Sequence, residues 1–397
     1  MALPSIPLFT SANPERSRRA LHALDHRHAL AVEDESGAFV VLHNRDVRKL
    51  LHDSRLKGLG LALFDLAGVH DGPLREWFGS IMFANEGQPH HRMRRLVGKA
   101  FTPQAVQSLR PFAAELVAER LANLRQAGAR DLIALLSDVP TRVMCRLLGV
   151  PEDDAPKFVA WLNALSATFL LMTPAQVAAA TDAIVNLLDY VRGLRETRMG
   201  SPGEDLISAL IAAEDDGDRL TPEETAQMVA NLLVGGHDTT GAQIGCSLIT
   251  LLQRPEVFAE IRADPAILPL VVDETIRFEP SIAMAPSTAV SPIELDGTEI
   301  PAGSVVFLCT MTANRDPEVW TDGNGFVPGR FADPATPKLM TFGGGAHFCL
   351  GTWLARMTLE EVLRGVAELA PELTVDPATI EWTAPLGAHP VRLPVAA

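Results

Sequence analysis

The chain has 397 residues, 47% of them hydrophobic, with 34 basic against 49 acidic side chains and a formal net charge of −15. That balance supports a substantial buried core and argues against nucleic acid or an anionic membrane as the main partner. No Pro/Ser/Gly-rich or charged linker divides the sequence, so residues 1–397 read as one domain, helical except for β-rich portions near 31–60, 280–312 and 373–397.

The first twenty residues carry Pro4, Pro7, Pro14 and several charges, without a signal-peptide core or a membrane anchor. A short strand is predicted at Phe39, Val40, Val41 and Leu42. The Gly-, Leu- and Phe-rich stretch from Leu56 to Ile81 reads as an irregular loop and a candidate pocket wall. A basic helix start follows at Pro89, with His90 and Arg94 on one face and Arg92, Arg95 and Lys99 on another. Taken alone it is a solvated cationic face; a phosphate site would need a glycine loop that is missing here.

Amphipathic helices are predicted over Pro103 to Gly149 and Pro151 to Arg198, the second interrupted near Pro174. The longest uncharged stretch, Phe158 to Thr181, contains Asn163, Thr173, Pro174 and Gln176 and fits two helices better than a membrane span. Thr221-Pro222-Glu223-Glu224 is a capping box that opens a helix running to about Leu252. Its middle is poor in helix formers, with Gly235, Gly236, Asp238, Thr239 and Thr240, and such local conflict marks a functional segment. A threonine hydroxyl there can bond the carbonyl one turn back and open the helix. His237 is read as pointing away from any pocket. Glu274 and Arg277 then form a Glu-x-x-Arg pair at helical spacing.

The sequence Phe342-Gly343-Gly344-Gly345-Ala346-His347-Phe348-Cys349-Leu350-Gly351 places one cysteine after a glycine run and before a helix. Glycines allow positive φ and close approach, while the helix start favours a thiolate below the usual value of about 8.5. A thiolate can serve as nucleophile, zinc ligand or iron ligand, and no second ligand pair for zinc lies beside it.

Phe-x-x-Gly-x-x-x-Cys-x-Gly is the haem-binding signature of the cytochrome P450 superfamily, which Phe342, Gly345, Cys349 and Gly351 match position for position. The segments His90-x-Arg92-x-Arg94, Gly235-Gly236-x-Asp238-Thr239-Thr240, Glu274-x-x-Arg277 and Phe326 to Phe331 also resemble the family, in the family's order, so the resemblance covers nearly the whole chain. It implies a mainly α fold, a triangular helical prism with a small β region around one haem b. Without a C-x-x-C-H motif that haem is held non-covalently, and Cys145, Cys246, Cys309 and Cys349 without C-x-x-C spacing suit a reducing cytoplasm.

By the same resemblance Cys349 is the iron ligand, and His90, Arg94 and His347 anchor the haem propionates. Asp238 and Thr239 pass protons to oxygen, and Glu274, Arg277 and Arg330 form a buried structural cluster. The implied activity is hydroxylation of a largely apolar small molecule by a monomeric enzyme using O2. Its two electrons would come from an acidic ferredoxin or similar donor docking on Arg92, Arg95 and Lys99. Alternatives are an H2O2-dependent peroxygenase, which would not need the Asp238–Thr239 pair, a haem sensor or electron carrier, and a thiol hydrolase. Candidate substrate contacts are Leu63, Phe64, Met82, Phe83, Leu233, Val234, Ile282, Ala283, Met284 and Leu386. Two positions depart from the family: Ser287 stands where an arginine usually reaches a propionate, and Thr358 where a glutamate is usual.

Overall fold

The computed structural model describes residues 3–7, 19–24, 27–126, 131–215, 217–369, 373–383 and 389–396. Helices dominate. Those that build and surround the site are α1 (Gly87–Ala100), α2 (Arg110–Gln126), α3 (Val139–Leu148), α4 (Ala155–Leu165), α5 (Pro174–Gly200), α6 (Pro222–Leu252), α7 (Leu268–Phe278) and α8 (Thr352–Leu369). Helix α6 is the axis. The capping box closes its start, with Glu224 N–H donating to Thr221 Oγ1 at 3.1 Å and Thr221 N–H donating to Glu224 Oε2 at 2.8 Å. Its 31 residues pack against α3, α4, α5, α7 and α8, so apolar side chains are buried nearly all round it. The helix is continuous through Gly235–Thr240. The opening expected from the sequence is not present, because packing on several sides outweighs the weak local propensity.

Helices α2 and α8 lie side by side, and Gly365 lets them approach: a Cβ there would meet Val117 Cγ1 at 2.5 Å. Gly149, with φ +73°, ends α3 as a left-handed cap. The long helix expected over residues 103–149 is instead four pieces: Pro103–Gln107, α2, Leu132–Leu136 and α3. Asp131 makes the second break. Its Oδ1 accepts the Ile133 amide, capping the next helix, and the Leu393 amide, which ties in the C-terminal chain, each at 3.0 Å. The expected irregular stretch 56–81 also contains order, with helices Ala62–Leu66 and Pro73–Ser80. Gly72 at φ +91° turns the chain into Pro73 at the first helical position, a start signal the composition obscured.

The main sheet comprises β1 (Ser5–Ile6), β2 (Leu30–Glu33), β3 (Phe39–Val41), β4 (Leu56–Lys57), β5 (Met284–Ala289) and β6 (Val305–Cys309), in the order β1-β2-β3-β6-β5-β4. β3 runs parallel to β6, and β6 antiparallel to β5 with Ser287 opposite Val306. A tight Asp296-Gly297 hairpin, with φ +49° and +73°, joins Ile293–Leu295 to Thr298–Ile300. Near the C-terminus Glu381–Trp382 pairs with Pro390–Arg392. Among the described residues no helix is long and apolar enough to cross a membrane.

Candidate active site

Between α6 and the glycine loop before α8 lies a cavity of about 260 Å³. Gly235, Gly236, Thr239, Thr240 and Gln243 form one wall; Phe342, Cys349, Leu350 and Gly351 form the opposite one. The loop is held by its backbone, as Cys349 N–H donates to Phe342 O at 2.9 Å and Thr352 Oγ1 donates to Cys349 O at 2.8 Å. Only glycine fits at 345. Its φ is +60°, and a Cβ would sit 2.7 Å from Leu51 O. The Gly345 amide donates to His52 Nε2 at 3.1 Å, and His52 Nδ1 lies 2.9 Å from Arg48 O, so the ring takes the tautomer that donates from Nδ1.

Cys349 lies three residues ahead of α8, and its exposed surface opens on the cavity. Burial among protein atoms pushes its thiol up, and this outweighs the Gly351 amide, the Thr352 hydroxyl and the positive charges of Arg94 and Arg356. The lowered pKa expected from the helix start is therefore not produced by the chain alone. A bound metal cation is what would hold the sulfur as thiolate.

Helix α1 brings His90 and Arg94 to the same loop. Arg94 Nη2 donates to Phe348 O at 2.5 Å. His90 is 1% exposed, and burial first, then the charges of His347, Arg94 and His91, push its pKa down to about 4. His90 Nδ1 and His347 Nε2 are both buried without a hydrogen-bond partner among the described residues, although His347 Nε2 lies 3.2 Å from a Glu86 carboxylate oxygen. Arg92 turns away from solvent-facing duty: it donates to Asp218 at 2.7 Å and to Glu224 at 2.6 Å. Its charge is paired with the hairpin before α6 and with the first turn of α6, which corrects its reading as part of a free cationic face.

On α6 the Thr239 hydroxyl donates to Gly235 O at 2.8 Å, one turn back. Asp238 is about half exposed and lies beside His237 at 3.4 Å, off the cavity wall. His237 is buried toward α3 and α4, 2.5 Å from Thr141 Oγ1 and 3.0 Å from Asn163 Oδ1, and burial lowers its pKa against the opposing pull of Asp238.

Away from the cavity, Glu274 and Arg277 are fully buried. Arg277 donates to Glu274 at 2.7 and 2.8 Å and to the carbonyls of Asn314, Gly323 and Gly325 at 2.9, 2.6 and 2.7 Å, so all its donors are engaged. Arg330 Nε reaches Glu274 at 3.2 Å, and the Val327 amide donates to it at 2.6 Å. Ser287 sits half-buried on β5 and Thr358 is buried on the core side of α8.

Of the ten candidate substrate contacts, Met82 and Ile282 line the cavity. Phe64 is fully buried against Phe78, with ring centroids 4.7 Å apart; Leu63, in helix Ala62–Leu66, and Phe83, in the turn Met82–Ala84, are not on the cavity wall. Leu233 and Val234 are buried on other sides of α6, because at 3.6 residues per turn they fall off the stripe 231, 235, 239, 243 that faces the cavity. Met284 opens β5 and, with Ala283 before it, shares an apolar cluster with Leu42 and Phe307. Leu386 lies outside the described residues. Asn231, Gln243, Ser281, Phe101 and Met144 are on the wall and escaped the sequence reading; for the first two the spacing of four from Gly235 and Thr239 was the available signal.

A family model described as Cytochrome P450 matches residues 69–366. The chain is 36% identical over 367 residues to Nocardicin C N-oxygenase of Nocardia uniformis subsp. tsuyamanensis, covering 90% of this chain and 89% of that protein. It is also 36% identical over 308 residues to Cytochrome P450 monooxygenase PikC of Streptomyces venezuelae, covering 76% and 72%. The solved structure of CalO2 superimposes with a TM-score of 0.88 at 26% identity, covering 98% of this chain and 99% of that one. The chain thus belongs to the cytochrome P450 family and is one of its monooxygenases.

Proposed function

We propose that this monooxygenase hydroxylates a largely apolar small molecule, RH + O2 + 2e⁻ + 2H⁺ giving ROH + H2O, with electrons delivered singly by an acidic ferredoxin or similar carrier. The observation that carries it is the placement of the Thr239 hydroxyl on the α6 wall of a cavity whose other wall holds Cys349. The family implies haem, and the donor set suits it. A soft sulfur faces the cavity, and the buried His90 Nδ1, without a hydrogen-bond partner among the described residues, lies near Arg94, where an anionic propionate would satisfy it. Haem b, bound non-covalently with Cys349 as iron ligand, is the form proposed. When bound, the haem supplies oxygen activation, and a thiolate ligand favours O–O cleavage.

The chain's own residues do the rest. Asp238, half exposed, takes protons from water, and the Thr239 hydroxyl, one residue on, turns from its resting bond to Gly235 O to hand them toward the cavity; Phe342, Leu350, Leu354 and Ile282 keep it apolar. Helices Gly87–Ala100 and Thr352–Leu369 present the face on which the electron carrier docks, with Arg92 contributing little because Asp218 and Glu224 already neutralise it. A monomer in the cytoplasm is proposed; four cysteines without C-x-x-C spacing suit a reducing compartment.

The test is the spectrum of the reduced protein under carbon monoxide, followed by titration with a library of apolar compounds. A strongly red-shifted band and saturable loss of the iron's water ligand are the outcomes that support this reading. Absence of the red-shifted band removes the thiolate, and absence of any response to apolar compounds removes the proposed substrate class.

A further inference from the structure

Ser281, in the turn between α7 and β5, closes a hydrogen-bonded ring on the cavity wall. Its Oγ donates to Thr239 O at 3.1 Å, and its N–H donates to Gln243 Oε1 at 2.8 Å. In a continuous α-helix the Gln243 N–H in turn donates to Thr239 O, four residues back. Gln243 Nε2 donates to Glu279 O at 3.0 Å and lies 3.3 Å from Ser247 Oγ, which donates to Thr275 Oγ1 on α7 at 2.9 Å. Ser281 and Gln243 are 4% and 5% exposed, so these bonds form away from bulk water.

We propose that Ser281 and Gln243 are positioning residues that fix Thr239 against α7, the helix carrying the buried Glu274–Arg277 pair; this rests on the proton-delivery reading of Thr239 above. The helix alone already satisfies the Thr239 carbonyl, so the bond from Ser281 is not needed to pair a buried group. It occupies the carbonyl's second lone pair and stops that peptide from turning. The Thr239 hydroxyl is committed one turn back to Gly235, so the residue is held at both ends, on a helix whose local sequence would otherwise let this segment open.

The experiment uses the haem-loaded enzyme with spinach ferredoxin, its reductase and NADPH, and 7-ethoxycoumarin as apolar probe. Wild type, Ser281→Ala, Ser281→Thr, Gln243→Met and Thr239→Ala are compared for peroxide released per product formed, and for hydrogen exchange of the 235–243 amides. Ser281→Ala and Gln243→Met are expected to raise the peroxide-to-product ratio roughly two- to tenfold, the factor a neutral hydrogen bond's net worth corresponds to, and to speed exchange across 235–243. Ser281→Thr, which keeps the hydroxyl, restores both. The inference is overturned if Ser281→Ala matches wild type in exchange and ratio, or if Ser281→Thr behaves like Ser281→Ala, which would make the effect one of packing. Thr239→Ala reads the underlying function separately. An unchanged ratio there, with faster exchange in Ser281→Ala, removes proton delivery while leaving the restraint.

Discussion

The imidazole rings of His90 and His347 lie 4.4 Å apart between centroids, inclined at 45°; His90 Nδ1 is buried without a hydrogen bond to any described residue, while His347 Nε2 faces a Glu86 carboxylate oxygen at 3.2 Å. With the Arg94 charge beside it, the His90 nitrogen is a site that an anion would complete. His90, held down to about 4 by burial and by its cationic neighbours, is neutral in the folded apoprotein above that pH. A histidine lowered on folding binds its proton more readily in the unfolded chain. Its contribution is therefore complete above about pH 6.5 and is lost as pH falls from there toward 4. Apoprotein melts followed by circular dichroism should lose stability across that window, and His90→Gln should flatten the loss. Haem loading should flatten it too, since an anion beside the ring favours the protonated form.

Cys349→His should retain a cavity able to take haem and lose the strongly red-shifted carbon monoxide band of thiolate-ligated iron, since imidazole is a neutral, harder donor. The reduced difference spectrum decides; retention of the red-shifted band would remove Cys349 as the ligand.

Arg277→Ala leaves Glu274 as a buried charge with only Arg330, an ion-pair distance of 3.2 Å, and the Val327 amide for company. Losing one member of a buried pair costs about 3–5 kcal/mol against a total of about 5–15 kcal/mol. Soluble, haem-loaded yield should fall several-fold, measured as absorbance per milligram of purified protein, whereas a conservative Arg330→Lys, at the partly exposed edge of the cluster, should be tolerated far better.

Thr239→Ala should keep haem content and the spectral response to apolar compounds while product per electron drops and peroxide rises. Asp238→Asn should slow turnover instead, because the supply of protons is impaired; a positioned proton donor contributes roughly 10²–10⁴-fold to such a step. Donor oxidation, peroxide and product measured together check both. Unchanged coupling in the first variant with unchanged turnover in the second would favour a carrier or a peroxygenase.

Much of the chemistry was legible one residue at a time. The Cys349 loop, the capping box at Thr221, the left-handed break at Gly149 and the proline start at Pro174 are local signals, set by what a single backbone position tolerates or by contacts within a few residues. The stretch 56–81 was harder, because its helix start depends on one glycine's φ, which composition does not display.

Residue order alone dictates the set of groups available for chemistry: one cysteine in a glycine loop, an acid and an alcohol in a weak stretch of helix, and a Glu-x-x-Arg pair. Tertiary structure alone decided how they are used. At Cys349, which opens on the cavity, the protein atoms around the sulfur push its pKa up against the Gly351 amide, the Thr352 hydroxyl and the charges of Arg94 and Arg356. A hairpin distant in sequence claims Arg92. The turn at Ser281 reaches across 42 positions to bond the Thr239 carbonyl, and packing on several sides keeps α6 helical where propensity is weak. Each of these depends on the sum of many non-local contacts, and those exist only once the chain has closed on itself.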